Sequence, residues 1–122
     1  MPSTTLLRSL VLSATAGLLG LSACAEQRPV FVVVESGDQA LEDSDYTLAA
    51  TEYREAVSRR PAEWEARMGL AKALLGLDRP AEAREQAEIV YSIRPDDPEA
   101  VELLAESMLA SGDTAGMESL LR

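Results

Sequence analysis

Apolar and small residues recur along this chain with two spacings, one within each helix and one between repeats. After Asp45, apolar positions follow the three-and-four spacing of one helix face. The same pattern returns after 34 residues, as these pairs show: Ala49 with Ala83, Pro61 with Pro95, Leu70 with Leu104, Ala71 with Ala105, and Leu75 with Leu109. A constant period across apolar, small and proline positions is typical of stacked repeats. In such arrays a single helix pair buries too little surface, so neighbouring pairs complete the core.

The predicted helices begin and end at conventional signals. Ser44 and Asp45 provide the first N-cap, and Asp97 opens a later helix in the same way. Prolines at 61 and 95 end two of the helices. We therefore expect helices over about 45–60, 62–75, 80–93, 98–110 and 114–122.

The apolar run from Val30 to Val34 stands where the first helix of the first repeat would fall. Its β-branched composition is typical of a strand, so we expect a short extended segment there and about one turn of helix over 39–43. Two interpretations remain open for the extended segment. It packs on the end of the helical stack, or it pairs as a strand with a partner protein.

The N-terminal residues have the pattern of an export signal. Arg8 precedes an uncharged run over 9–21, which is too short for a typical membrane span. The residues that follow, Leu21-Ser22-Ala23-Cys24, resemble the lipobox of bacterial lipoproteins. This resemblance implies cleavage before Cys24, acylation of its thiol and attachment to a membrane. The alternative is an ordinary secretory signal that precedes a free cysteine.

These patterns divide the chain into three parts. Residues 1–23 are assigned to a lipoprotein signal peptide, 24–44 to the lipidated Cys24 and a tether with the extended segment, and 45–122 to the helical repeat domain. Ala25 follows the cysteine, where the Asp that often signals inner-membrane retention is absent. The resemblance to lipoproteins therefore implies an outer-membrane protein that faces the periplasm of a bacterium.

The repeat resembles the tetratricopeptide repeat, a helix-turn-helix unit of about 34 residues. The residues that carry the resemblance are Ala49, Tyr53, Pro61, Leu70, Ala71, Leu74, Ala83, Pro95, Leu104 and Ala105. The resemblance implies an all-α, antiparallel array of about 2.5 repeats, in which one complete repeat lies between two partial ones. Because about three units are needed for independent stability, we expect a homodimer through the exposed repeat ends, or a partner, to bury the terminal surfaces.

Composition and charge exclude several classes of function. The part from Cys24 onward carries ten basic and 21 acidic residues, a net charge of −11, because Arg8 is the only charged residue before it. This charge repels nucleic acid and anionic lipid headgroups. The sequence has no histidine and a single cysteine, so imidazole and thiolate catalysis and the usual zinc ligands are missing from the body. We expect no catalytic residue, no metal and no cofactor.

An acidic stripe is the main candidate for partner binding. Glu99, Glu102 and Glu106 follow the spacing of one helix face. The resemblance places the first helices of the repeats on a concave side, which implies a groove lined by Glu65, Met68, Lys72, Leu75, Glu99, Glu102 and Glu106. Such a groove suits a basic or amphipathic helix. The alternative is a stripe that serves only solubility.

These observations favour a non-enzymatic, membrane-anchored adaptor that mediates protein-protein interactions in the assembly of an envelope complex. By resemblance, small lipidated proteins of this kind serve pilus biogenesis, with the tight-adherence (Flp) system as first choice, as well as secretion systems. Two alternatives stay open: a chaperone-like holder of one pilus or secretion subunit, and an accessory lipoprotein of outer-membrane biogenesis. A holder is expected to depend on Met68 and Leu75, and an adaptor for a basic partner on Glu102.

Overall fold

Six helices make up most of the chain that the structure describes. The computed structural model describes residues 27–122, and the predicted signal peptide, Cys24 and Ala25 lie outside this range. The helices are α1 (Val30–Glu42), α2 (Tyr46–Arg59), α3 (Trp64–Gly76), α4 (Pro80–Ile93), α5 (Pro98–Ala110) and α6 (Thr114–Leu120). This range contains no strand, and the predicted all-α array of helix pairs is confirmed. None of its helices has the length and apolar character needed to cross a membrane.

Helix boundaries repeat with the period found in the sequence. The first helices of the three pairs begin at 30, 64 and 98, and the second helices begin at 46, 80 and 114. Consecutive helices pack side by side, and α1, α3 and α5 also contact one another in a row. In the described part of the chain, the backbones of α2, α4 and α6 do not pack against each other, although the exposed side chains of Arg54 on α2 and Glu82 on α4 form an ion pair at 3.5 Å. The first helices therefore form the inner, concave layer of a curved stack.

Helix α1 corrects the prediction of an extended segment over Val30 to Val34. Its buried residues, Val30, Val33, Gly37 and Ala40, recur at helical spacing. β-Branched residues disfavour a helix by less than about 1 kcal/mol each, whereas complete burial of an apolar side chain stabilises a fold by about 1.5–3 kcal/mol. Packing against α2 and α3 therefore outweighs the local strand preference. The first repeat has both of its helices, so three repeats are present and only the last helix is short.

The turn inside each helix pair has the same backbone geometry. Ser44, Asp78 and Gly112 occupy equivalent positions of the three repeats and have φ values of 59°, 57° and 84°. The next residue of each turn donates its N–H to a carbonyl five residues back, as Asp45 does to Ala40 at 2.8 Å. This bond satisfies a carbonyl that the helix end leaves unpaired. The left-handed backbone costs about 1–2 kcal/mol at a non-glycine residue, so the rest of the repeat must impose it on Ser44 and Asp78.

The ring of Tyr53 on α2 joins the first two repeats. It is fully buried and lies against Gly37 of α1 and Gly69 of α3. A Cβ atom added at these glycines would lie 2.8 Å and 2.2 Å from the nearest ring carbons, which is closer than carbon atoms can approach. The hydroxyl donates a hydrogen bond to Asp38 Oδ1 at 2.5 Å. The two glycines thus leave the space that the ring fills.

Arg28 attaches the residues before α1 to the second helix. Its guanidinium lies 2.8 Å from Glu52 Oε2 and 3.4 Å from Glu55 Oε2. Its carbonyl accepts a hydrogen bond from Arg59 Nη1 at 2.6 Å. Glu52 is only 8% exposed, and a buried carboxylate needs a cation to balance its lost hydration. These contacts fix the first described residues against α2.

Most positions that carried the resemblance lie in the core. Seven of them are buried, namely Ala49, Tyr53, Leu70, Ala71, Leu74, Ala83 and Leu104. Ala105 is half-buried, and Pro61 and Pro95 are exposed just beyond helix ends. The predicted caps are also present, because Asp45 accepts from the N–H of Leu48 and Asp97 from that of Glu99. Small side chains at the buried positions allow the helices to pack closely.

Substitution of Gly69 by Ala tests the contact with Tyr53. Inside a helix, Ala is intrinsically more favourable than Gly by about 1 kcal/mol. Here the new Cβ would lie 2.2 Å from the Tyr53 ring. We therefore expect Gly69→Ala to lower the free energy of unfolding by about 1–3 kcal/mol, measured by urea denaturation.

The matched control for this prediction is the same substitution in a Tyr53→Leu background, where the smaller side chain leaves room. There Gly69→Ala should be neutral or stabilising, and the double-mutant cycle gives the coupling between the two residues. An equal loss of stability in both backgrounds would show that the ring contact is not the cause.

Candidate functional site

Two adjoining depressions form a cleft on the inner side of the stack. The first has a volume of about 210 Å³ and lies over α1, α3 and the start of α5. Its lining residues are Asp38, Leu41, Tyr53, Trp64, Glu65, Met68, Gly69, Lys72 and Glu99. The second, of about 180 Å³, shares Asp38 and Glu65 with the first and extends along α1 to Phe31. We call these two depressions together the concave cleft.

Carboxylates outnumber cations in the concave cleft. Its acidic residues are Glu35, Asp38, Glu63, Glu65 and Glu99, and its basic residues are Arg60 and Lys72. Lys72 forms an ion pair with Glu99 across α3 and α5, and the Arg60 guanidinium lies 3.9 Å from Glu63. Both cations are therefore already paired with acids. The remaining negative charge attracts a cationic ligand.

Glu65 lies among the other carboxylates of the concave cleft. Partial loss of solvent raises the pKa of the Glu65 carboxyl above its ordinary value, and the neighbouring Glu63 carboxylate adds to this rise. The charge of Asp38 acts in the same direction on the Glu65 pKa, whereas Arg94 opposes it. A raised carboxyl pKa means that the ionised form is disfavoured at this position. A cation that entered the cleft would relieve this unfavourable charge.

Apolar side chains form the floor of the concave cleft. Met68 is buried there, Leu41 and Trp64 are half-buried, and Phe31 at the open end is 70% exposed. The guanidinium carbon of Arg94 lies 4.1 Å from the centre of the Trp64 ring, within the range of a cation-π interaction. Since Trp64 is the single tryptophan of the chain, its fluorescence reports on this site.

Tyr53 supplies a polar group at the base of the concave cleft. Burial raises the pKa of the Tyr53 hydroxyl far above its ordinary value, and the hydrogen bond to Asp38 raises it further. The hydroxyl therefore stays protonated at neutral pH and donates to Asp38. This bond holds the Asp38 side chain at the boundary between the two depressions.

The structure divides the predicted groove residues between two surfaces. Four of them, Glu65, Met68, Lys72 and Glu99, line the concave cleft. Glu102 and Glu106 instead border an apolar groove between α5 and α6 at the C-terminal end of the stack. Leu75 is half-buried against the core. Each step of three residues rotates a side chain by about 60° around the helix axis, which separates Glu99 from Glu102.

Several residues of the concave cleft were missed because α1 was expected to be extended. These residues, Phe31, Glu35, Asp38 and Leu41, all belong to that helix. One signal in the sequence could have revealed it. Gly37 stands one period before Ala71 and two periods before Ala105, so a small residue occupies this position in all three repeats.

The side chains of the concave cleft are suited to binding another molecule. Within residues 27–122, no group of three or more carboxylate, cysteine or histidine side chains is placed to hold a metal ion. The polar groups of the concave cleft are mainly carboxylates, beside the protonated Tyr53 hydroxyl. Carboxylates at the edge of an apolar floor can bind a cationic, partly apolar segment of another protein.

The pH dependence of stability tests the environment of Glu65. The folded chain binds a proton at Glu65 more tightly than the unfolded chain does, because its pKa is raised. The associated stability is present at low pH and is lost as the pH rises through the folded pKa. We expect Glu65→Gln to raise the midpoint of thermal unfolding at pH 7 and to leave it unchanged below about pH 3.5, where Glu is protonated in both states.

The control for this prediction is Glu85→Gln, which removes the same charge from an exposed position on α4. It reports the effect of lowering the net negative charge alone. If both variants changed the midpoint equally at pH 7, the local environment of Glu65 would not be the cause.

The repeat register agrees with a comparison to known protein families. A family model of the tetratricopeptide repeat matches residues 34–98, which is more than half of the chain. A search of curated proteins finds no match. Proteins built from this repeat are generally non-enzymatic scaffolds that bind other proteins. The matched range runs from within α1 to the start of α5, and the chain therefore belongs to the tetratricopeptide repeat family.

Proposed function

We propose that this protein is a non-enzymatic adaptor that binds a basic, amphipathic helix of a partner protein in the concave cleft. The observation that carries the proposal is the excess of carboxylates around an apolar floor on the inner side of the stack. The general role of tetratricopeptide repeats in protein binding supports it.

Recognition combines charge and apolar contact. Lysine or arginine side chains of the partner lie beside Asp38 and Glu65, where a cation offsets the loss of solvent and the neighbouring carboxylate charge that together raise the Glu65 pKa. The apolar face of the partner helix covers Leu41 and Met68. Charge attraction of this kind mainly increases the association rate and the specificity, and salt weakens it.

We further propose that the adaptor is a lipoprotein of the bacterial outer membrane that faces the periplasm. The support lies in the sequence, where an uncharged run leads into Leu21-Ser22-Ala23-Cys24, outside the described residues. The acidic body is repelled by anionic headgroups, so the acyl chains on Cys24 hold it at the membrane. The process it serves is the assembly of an envelope complex, a pilus of the tight-adherence type first and a secretion system second.

A chaperone-like holder of one pilus or secretion subunit is the second candidate function. The observation in its favour is Phe31, which is 70% exposed at the open end of the concave cleft. An apolar subunit helix could cover this ring together with Met68. An accessory role in outer-membrane biogenesis would use the same surface with a different partner.

Trp64 fluorescence tests the proposed recognition. The probes are two 15-residue peptides, one of lysine and leucine in an amphipathic pattern and one with each lysine replaced by glutamate. We expect the lysine peptide to change the Trp64 emission of the full chain, and Glu65→Lys to weaken its binding at least tenfold. Raising the salt concentration from 50 to 500 mM should weaken binding of the lysine peptide as well.

Two controls accompany the titration. Glu85→Lys on the outer side of α4 makes the same charge change and should leave binding of the lysine peptide nearly unaltered. Phe31→Ser removes an exposed ring and distinguishes the two candidate functions, because a holder loses binding through this change even at high salt. Equal binding of both peptides, or no effect of Glu65→Lys, would contradict an adaptor for a basic helix.

Membrane attachment is tested separately at Cys24. In bacterial cells supplied with radiolabelled palmitate, the full chain should incorporate label and sediment with the outer membrane. Cys24→Ser removes the thiol that accepts the lipid, so label incorporation should be lost and the chain should leave the outer-membrane fraction. Unchanged labelling of the Cys24→Ser variant would overturn the lipoprotein assignment without affecting the proposal for the concave cleft.

A further inference from the structure

The C-terminal end of the stack carries a second apolar surface, which the proposed function does not use. A groove of about 610 Å³ lies between α5 and α6. Its floor includes Val101, Ala105 and Leu109, and Glu102 and Glu106 lie at its edge. We call this surface the terminal groove. It is the larger of the two candidate surfaces, and it shares no lining residue with the concave cleft.

The repeat itself shows what covers such a surface. Ala105 and Leu121 of the terminal groove lie one period after Ala71 and Ala87, which are both fully buried. Leu121 is 61% exposed. The second repeat differs from the third in having α5 packed against it. The terminal groove on the third repeat thus corresponds to the surface of the second repeat that α5 covers. A helix in the equivalent position would cover the terminal groove.

The side chains of α5 define the helix that fits. Ala100, Leu103 and Ser107, its third, sixth and tenth residues, are buried on the side that faces the second repeat. Glu99, its second residue, forms the ion pair with Lys72 of α3. One period after Lys72 stands Glu106. The terminal groove therefore has an acid where the second repeat has a base. A helix that binds there would need a cationic residue at the position that Glu99 holds in α5.

We propose that the terminal groove binds a helix of a partner protein that continues the stack in the orientation of α5. This helix has small or apolar residues at its third, sixth and tenth positions. Its second residue is Lys or Arg and pairs with Glu106. The apolar floor supplies most of the affinity, and the exposed ion pair contributes orientation and selectivity.

A second copy of this chain does not meet these requirements. Its α1 would present Glu35 and Gln39 at the sixth and tenth positions, where α5 has buried residues, and Phe31 at the second position. Contact between two terminal grooves would bring Glu102 and Glu106 of each copy together, and like charges repel. The homodimer expected through the repeat ends is thus disfavoured at this surface, and a different protein is its occupant.

A charge-swap experiment with peptides derived from α5 tests the proposal. Both probes are acetylated and amidated peptides of residues 98–110 that carry E102K and E106K, and one of them also carries E99K. The full chain is purified in a mild detergent, and binding is measured by fluorescence anisotropy of the labelled peptides. We expect the peptide with E99K to bind about two- to fivefold more tightly than the peptide that retains Glu99.

The chain variant Glu106→Lys should reverse this order, so that the peptide that retains Glu99 binds more tightly. Glu85→Lys is the matched control, because it makes the same charge change on α4 and should keep the original order. In amide NMR spectra, the peptide should shift signals of Leu109 and Met117 in the terminal groove. Signals of Asp38 and Met68 in the concave cleft should not move.

Each other outcome overturns the proposal. These outcomes are no binding at millimolar peptide, an order of affinity that Glu106→Lys leaves unchanged, and signal shifts in the concave cleft. Sedimentation that shows a dimer of the chain dissociated by the peptide would assign the terminal groove to a second copy. Because Glu65→Lys has no role in this experiment, failure here leaves the proposal for the concave cleft intact.

Discussion

The close approach of Tyr53 to two glycines determines how the first two repeats sit on each other. A helix pair rich in alanine buries little surface alone, so the stack depends on contacts between repeats. The ring occupies the space that Gly37 and Gly69 leave, and it thereby sets the distance between α1, α2 and α3. The concave cleft lies where α1 and α3 meet, and the Tyr53 hydroxyl holds Asp38 at its base. One side chain thus serves both the packing of the array and the shape of the candidate site.

The clustered carboxylates of the concave cleft lower the stability of the folded chain, and the fold itself does not need them at this place. The ion pairs of the described chain are largely exposed, and pairs of this kind contribute about 0–1 kcal/mol each. Partial loss of solvent raises the pKa of the Glu65 carboxyl, and the neighbouring carboxylates add to this rise. Acids gathered at this place therefore add little to stability, which is consistent with a role in recognition. The terminal groove is similar in this respect. Glu106 stands one period after Lys72, and among the described residues no ion pair like that of Lys72 with Glu99 forms there.

Long-range periodicity was a better guide to this fold than local composition. The 34-residue register predicted the helices from Asp45 onward, because apolar and small positions at that spacing must face neighbouring repeats. Local composition failed at α1, where five β-branched or aromatic residues suggested a strand, although Gly37 keeps the register of the small residues in the later repeats. The equivalent turns at Ser44, Asp78 and Gly112 were also hidden, because only one of them is glycine. The division of Glu99 from Glu106 depends on their separation of about 10 Å along α5 and on where the neighbouring repeats lie, which the periodicity of one helix face does not give.

The attachment of Arg28 to Glu52 and Glu55 would limit the distance between the body and a bilayer if Cys24 carries the proposed lipid. Only four peptide steps separate Cys24 from this anchored residue, and a fully stretched backbone of that length spans about 14 Å. With acyl chains on Cys24, the first repeat would therefore stay within roughly the thickness of the headgroup layer and its hydration. Its binding partners would then have to approach the lipid surface. The protein would bind them close to the membrane and would not extend across the periplasmic space.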